Sequence, residues 1–192
     1  MTVILANGDF PRPGTEARAI LERAERVVCC DGAADAYRDA TGKECDLVVG
    51  DMDSIASLPS SAIVIREQET NDLEKAVRVC REQGYEDLII LGATGKREDH
   101  AIGNIFRALE LGVDIVTDTG RFHVVRKEAK FAAGTGRAVS IFAPTPGTRC
   151  SSTGLVWPLD GVPLKNLYCA TLNRTCEDEF SISATEPVLV FF

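Results

Sequence analysis

Asp51 and Asp53 stand one residue apart at the end of a short apolar run, in the stretch LVVGDMDSI. Two carboxylates where a strand runs out suit one of two tasks. They solvate a turn, with Ser54 capping a following helix, or they hold a divalent cation that in turn holds phosphate. Three other junctions carry comparable polar clusters. CCDGAAD puts Asp31 directly after the run RVVCC. EQETNDLEKA puts Asp72 in the first turn of a helix, behind Asn71 as cap and with Glu74 as its capping-box partner. GATGKREDHAIGN follows the run DLIIL. Four carboxylates gathered at one edge repel, and their ionisation is costly without a counter-charge. Mg2+ supplies one, because it takes hard oxygen ligands, keeps waters and accepts substrate phosphates. On this reading Asp31, Asp51, Asp53 and Asp72 are the metal ligands, with Asp51, Asp53 and Asp72 at the chemistry. Gly50 suits a backbone that turns sharply after the strand.

The cations divide in the same way. Lys75 lies three residues beyond Asp72 on the same helix side, where it pairs with Asp72 or reaches a phosphate. GATGKR is not a P-loop: only Ala93 and Thr94 separate Gly92 from Gly95, and Arg97 rather than Ser or Thr follows Lys96. What remains is a glycine-rich turn with Lys96 and Arg97 ahead of a helix N-terminus. That combination suits a polyphosphate, against the plainer alternative of a loop with solvated cations. His100 and Asn104 share a helix face beside Asp99, as a polar flank or as a ligand-facing side, and Gly103 leaves room for a close backbone. Trp157, the single tryptophan, stands beside Pro158 in a turn-rich segment. It is either core or a face for a flat or cationic ligand.

The elements that must position these groups follow from periodicity. TVILA, RVVCC, DLVVG, AIVI, DLIIL and DIVT are short apolar runs without alternation, as in strands covered on both faces. Amphipathic stretches separate most of them: Ala17, Ile20, Leu21 and Ala24; Ala33, Ala36, Tyr37 and Ala40; Leu73, Ala76, Val77 and Cys80; Ile102, Ile105, Phe106 and Leu109. Residues 1–120 therefore read as an α/β domain with a mostly parallel, Rossmann-like sheet and flanking helices. Ligands of such sheets bind beyond the carboxyl ends of the strands, where the polar clusters lie. After residue 120 the pattern changes to short strand-like runs split by Gly, Pro and Asn. Residues 121–192 read as an antiparallel β-sandwich.

Composition sets the boundaries. A net charge of −8 over 192 residues offers no electrostatic footprint for nucleic acid or an anionic membrane. No apolar run approaches the ~20 residues of a membrane helix, and the N-terminal run lacks the length and basic leader of a signal peptide. Cytoplasmic residence is the expectation. The seven cysteines include no C-x-x-C and read as reduced and mostly buried. With only His100 and His123 available, and those far apart, a zinc site is not expected.

DGAAD, VVGDMDSI, TNDLEKA, GKREDHAIGN and TGLVWPL, in that order, resemble the motif series of the thiamine pyrophosphokinase (thiamine diphosphokinase) family. The resemblance implies an α/β domain, a β-sandwich domain and a homodimer with active sites between subunits. It implies Mg2+-dependent transfer of a diphosphoryl group from ATP to the hydroxyl of thiamine, giving thiamine diphosphate and AMP. Asp31, Asp51, Asp53 and Asp72 then form the acidic metal and nucleotide site, and Gln68, Arg97 and Asp99 match positions near the substrates. Lys75, Lys96 and His100 join this group as phosphate- and substrate-side residues. Trp157 matches a tryptophan that helps hold thiamine. The chain departs from the pattern at Lys96, which stands where the family has a second glycine. It departs again at ATLNRT, a loose counterpart of the family's Ser-Asn segment that offers Thr171 and Asn173.

The rival readings are a diphosphokinase acting on another alcohol such as a hydroxymethylpterin, a haloacid-dehalogenase-like phosphatase with Asp51 as nucleophile, and a non-catalytic module that senses nucleotide or thiamine diphosphate.

Overall fold

The computed structural model describes residues 1–55 and 59–192, which divide into two compact units, Met1–Thr119 and Gly120–Phe192. In the first unit six strands pair in parallel: β1 (Thr2–Leu5), β2 (Arg26–Cys30), β3 (Leu47–Gly50), β4 (Ala62–Val64), β5 (Leu88–Leu91) and β6 (Ile115–Val116). Their order is β6-β5-β1-β2-β3-β4. The chain builds outward from β1 to β4, then returns to lay β5 on the other side of β1. The order therefore reverses between β1 and β5, and that is where an open parallel sheet leaves a crevice at its carboxyl edge. All four residues of β1 are buried, as expected of a strand covered on both faces.

Four helices connect the strands: α1 (Glu16–Arg23), α2 (Ala33–Thr41), α3 (Asp72–Glu82) and α4 (Glu98–Leu111). Thr15 caps α1 by accepting from the Arg18 amide, and Asn71 caps α3 by accepting from the Glu74 amide at 2.9 Å. Glu74 pairs with Arg107 of α4 at 3.3 Å. Helix α3 buries the expected stripe of Leu73, Ala76, Val77 and Cys80. Helix α4 departs from expectation. Ile102 is 58% exposed, and only Ala108 and Leu109 are buried. The helix packs through its C-terminal half, while its first half borders a cavity.

The second unit is antiparallel throughout. Its strands are β7 (Arg121–Val125), β8 (Glu128–Ala132), β9 (Ala138–Phe142), β10 (Arg149–Thr153), β11 (Val162–Pro163), β12 (Ala170–Arg174), β13 (Glu179–Ala184) and β14 (Val188–Phe191). They form two sheets, β12-β9-β14-β7 and β11-β10-β13-β8. Val125, Ile141 and Val190 of one sheet and Cys150, Phe180 and Ile182 of the other meet in a single apolar core, which makes the unit a sandwich. The predicted fold class, a mostly parallel α/β sheet followed by an antiparallel sandwich, is the one observed. All seven cysteines are free, and five of them are buried. No helix among the described residues is long and apolar enough to cross a membrane.

Candidate active site

The carboxyl ends of the strands in the first unit surround a cavity of about 660 Å3. Its floor is built by the junctions after β2 and β3. Asp31 follows β2 with φ +41, a left-handed conformation that Asp tolerates better than most residues. Met52, between Asp51 and Asp53, has φ +67, so the backbone loops back on itself there. One oxygen from each of Asp31, Asp51 and Asp53 lies within 4.8 Å of the others.

Gly50 permits this crowding, but not by bending. A Cβ there would lie 3.0 Å from Asp31 Cβ and 3.3 Å from Asp72 Cγ, and the residue has no positive φ. The expectation of a sharp turn at Gly50 is therefore replaced by one of space: the missing side chain lets Asp31 and Asp72 close over the strand end.

The three carboxylates are held unequally. Asp51 accepts from Gln68 Nε2 at 3.0 Å and from the Asp53 amide at 3.3 Å, and the Gln68 contact above all holds its pKa below the usual carboxylate range. Asp53 accepts from Ser54 Oγ at 2.7 Å. Asp31 is only 3% exposed and accepts from the Ser54 amide at 3.0 Å through Oδ2. Its other oxygen, Oδ1, is buried without any hydrogen-bond partner. Burial raises the Asp31 pKa, and the neighbouring Asp53 and Asp72 carboxylates push it further in the same direction. A buried carboxylate oxygen without a donor is costly, and a cation is the group that would satisfy it. The donor set, three hard oxygens at a strand edge, fits Mg2+.

Asp72 lines the same cavity but has a partner of its own. Lys75, 2% exposed, donates to Asp72 Oδ1 at 3.1 Å. Burial raises the Asp72 pKa, against the opposing pull of Lys75. Of the two alternatives for Lys75, the pairing with Asp72 is the one in place.

The far wall comes from the β5–α4 turn. Lys96 donates to Asn7 Oδ1 at 3.0 Å and has φ +54, a conformation that glycine adopts freely. That explains why a glycine pattern would fall at this position. Arg97 and Asp99 pair with each other at 2.6 Å at the exposed mouth, which holds the Asp99 pKa down at about 2. His100 lines the same wall, and Asn104 ties it together by donating to Ala93 O at 3.0 Å. Gly103 does not serve a close backbone approach, since a Cβ there would meet nothing within 4 Å.

Trp157 and Asn173 belong to the second unit. Trp157 is 61% exposed and therefore not a core residue. Asn173 is 7% exposed, and its side chain is spent on backbone. It donates to Trp157 O at 2.7 Å and accepts from the amides of Trp157 at 3.2 Å and Arg174 at 2.8 Å. It clamps the segment that carries the exposed indole. Thr171 donates to Tyr168 O at 2.9 Å.

Sequence reasoning passed over the junction after β1. Asn7 and Gly8 line the cavity, yet ANGDF carries no acidic pair to draw attention. The rule that ligands sit beyond the strand ends applies to β1 as much as to β2 and β3, and would have found them.

Comparison with known proteins bears on this arrangement. Residues 17–117 match the family model described as thiamin pyrophosphokinase, catalytic domain, and residues 120–191 match thiamin pyrophosphokinase, substrate-binding domain. The chain belongs to the thiamin pyrophosphokinase family. It is thereby an enzyme of that type, a diphosphotransferase. A curated relative, thiamine pyrophosphokinase 1 of Oryza sativa subsp. japonica, is 26% identical over 215 residues, covering 92% of this chain and 80% of the rice protein. Solved structures share the fold at lower identity. A thiamin pyrophosphokinase family protein of Enterococcus faecalis superposes with TM-score 0.80 at 16% identity, covering 99% of this chain and 97% of that one. The thiamin pyrophosphokinase of Candida albicans gives 0.78 at 14% identity, with 99% and 88% covered.

Proposed function

We propose that this chain transfers the diphosphoryl group of ATP to the hydroxyl of thiamine, with Mg2+ held by Asp31, Asp51 and Asp53, yielding thiamine diphosphate and AMP. The observation that carries the reading is the convergence of one oxygen from each of Asp31, Asp51 and Asp53 to within 4.8 Å, on a cluster whose Asp31 keeps a buried Oδ1 without a hydrogen-bond partner. When bound, Mg2+ neutralises phosphate charge as the transfer proceeds. The protein itself has little covalent work in such a transfer and acts by positioning and electrostatics. Gln68 orients Asp51. Lys75 fixes Asp72 at the rim of the acidic cluster. Lys96 and Arg97 give the opposite wall its positive character, suited to phosphate oxygens, and His100 lines the same wall. Arg97 is engaged with Asp99 and would exchange that exposed partner for phosphate. Trp157 offers an exposed aromatic face to a cationic heterocycle, and thiamine is one. By family resemblance the second unit carries the thiamine side and the active form is a homodimer.

The test is AMP release from ATP and Mg2+, with thiamine, with a hydroxymethylpterin, and with neither. AMP formed only with thiamine supports the reading. AMP formed only with the pterin reassigns the acceptor, and absence of AMP under all conditions sinks the proposal.

A further inference from the structure

The loop from β4 into α3 supplies one side of the acidic cavity. Gln68, Thr70 and Asn71 line it, and Asp72 follows at the first position of α3. Glu67 is not among the lining residues, yet the loop turns around its carboxylate. We infer that Glu67 is a positioning residue for the reaction: it fixes the loop so that Gln68 meets Asp51, and it acts on the metal site through Gln68 without touching metal or substrate. The inference rests on the metal-and-phosphate reading above.

Three observations carry it. The first is the bonding of Glu67 itself. Its Oε2 accepts from the backbone amides of Glu69 at 2.8 Å and Thr70 at 3.0 Å. Its Oε1 accepts from the Thr70 hydroxyl and, at 3.3 Å, from Arg78 of α3. Both amides belong to the residues directly after Gln68, so the carboxylate closes the backbone around that residue. These donors, the Thr70 hydroxyl first, hold the Glu67 carboxyl down at about 2. It is therefore ionised at neutral pH, where bonds to a charged acceptor are stronger than neutral ones.

The second is the task of Gln68. Its side chain is exposed, and it donates to Asp51 Oδ2 at 3.0 Å. The other Asp51 oxygen accepts from the Asp53 amide, so Gln68 sets the direction of Oδ2. A long exposed side chain loses rotamer freedom when it is held in one geometry, and a mobile backbone would add to that loss. Fixing the backbone confines the loss to the side chain. The third is where the loop is held. At its start Ile65 donates to Gly50 O at 2.8 Å, next to Asp51 in sequence. At its end Asn71 caps α3. Its middle, which carries Gln68, is held by Glu67.

A carboxylate that served the loop's stability alone would make the same bonds. A double-mutant cycle separates the two roles, read as Mn2+ affinity of the full chain with pyrophosphate present. The variants are Glu67→Gln, Gln68→Ala and the two combined. Gln keeps the size of Glu but offers one acceptor oxygen to donors that now use two. Gln68→Ala is expected to weaken Mn2+ binding about tenfold, and Glu67→Gln about fivefold. The combined variant should stay within about twofold of Gln68→Ala, because Glu67 has nothing left to position. Thermal midpoints check that each protein folds. Where Glu67→Gln does not fold, Thr70→Val removes one donor only and enters the same cycle, with about a threefold loss expected. Unchanged affinity in the Glu67 variant, or in Gln68→Ala, overturns the inference. So does a combined loss equal to the product of the single ones, the result of a purely structural role. Wild-type protein that binds no Mn2+ contradicts the metal reading itself, and this inference falls with it.

Discussion

Asp31 and Asp118 are both aspartates just beyond the carboxyl end of a strand in the same sheet, and the protein treats them in opposite ways. Asp118 accepts from the Arg12 amide, from Arg12 Nε and from Thr15 Oγ1 at 2.9 Å. Burial alone would raise its pKa, but these donors outweigh it and hold the carboxyl below its usual range. Asp31 is more deeply buried, has a single amide donor, faces Asp53 and Asp72, and keeps one oxygen without a partner. A structural carboxylate is finished by the protein. Asp31 is left incomplete, the arrangement expected of a carboxylate that awaits a cation.

That contrast is open to attack, and the largest expected effect is on turnover. Asp51→Asn or Asp53→Asn is expected to lower kcat/KM for AMP formation by about 100-fold or more, through loss of the metal. The thermal midpoint should stay close to wild type, because neither carboxylate holds the fold together. Near-normal turnover in both variants would remove the metal assignment.

Stability comes next, through Lys75. Lys75→Met leaves the half-buried Asp72 without its cation, and chemical denaturation should show a loss of about 2–3 kcal/mol. A neutral result would mean that Asp72 finds water or another donor.

Asp118→Asn is expected to cost about 1–2 kcal/mol by the same measurement, with metal binding intact. The sign of its pH dependence follows from the direction of its shift. The folded pKa lies below the unfolded one, so ionised Asp118 stabilises the fold above the unfolded value of about 3.9 and that contribution is lost as the pH falls through the folded value. The Asp118→Asn difference from wild type should therefore be present at pH 7 and shrink at acid pH. For Asp31 the sign is reversed. Its raised folded pKa means that ionisation costs stability as the pH rises, so metal-free Asp31→Asn should be at least as stable as wild type at pH 7.

The smallest effect is expected at Asn173. Asn173→Ala frees both backbone groups of Trp157 and should cost about 1 kcal/mol. A clamp on the indole predicts a higher KM for thiamine with KM for ATP unchanged, and a shifted Trp157 emission spectrum. Equal changes in both KM values would make Asn173 a purely structural residue.

Much of this was legible in the sequence, for identifiable reasons. Short apolar runs alternating with stripes such as Leu73, Ala76, Val77 and Cys80 permit little besides a parallel sheet with helices. Aspartates at strand ends are visible because buried strands end abruptly. What stayed hidden depends on distant residues meeting. Gly50 looks like a turn glycine until Asp31 and Asp72 are seen against it. Asn173 is named by a loose motif match, and only the fold shows its side chain bonded to the Trp157 backbone. Ile102 completes a helical stripe on paper, but that turn of α4 adjoins a cavity rather than core. Asn7 was missed because a neutral amide after a strand resembles any loop residue.

The central claim is that Asp31, Asp51 and Asp53 jointly seat a divalent cation. Mn2+ titration followed by electron paramagnetic resonance tests it directly, on wild type, Asp31→Asn, Asp51→Asn and Asp118→Asn, with pyrophosphate present. Bound Mn2+ in wild type and Asp118→Asn, and its loss in Asp31→Asn and Asp51→Asn, is the predicted result. Equal Mn2+ binding by all four proteins would contradict it.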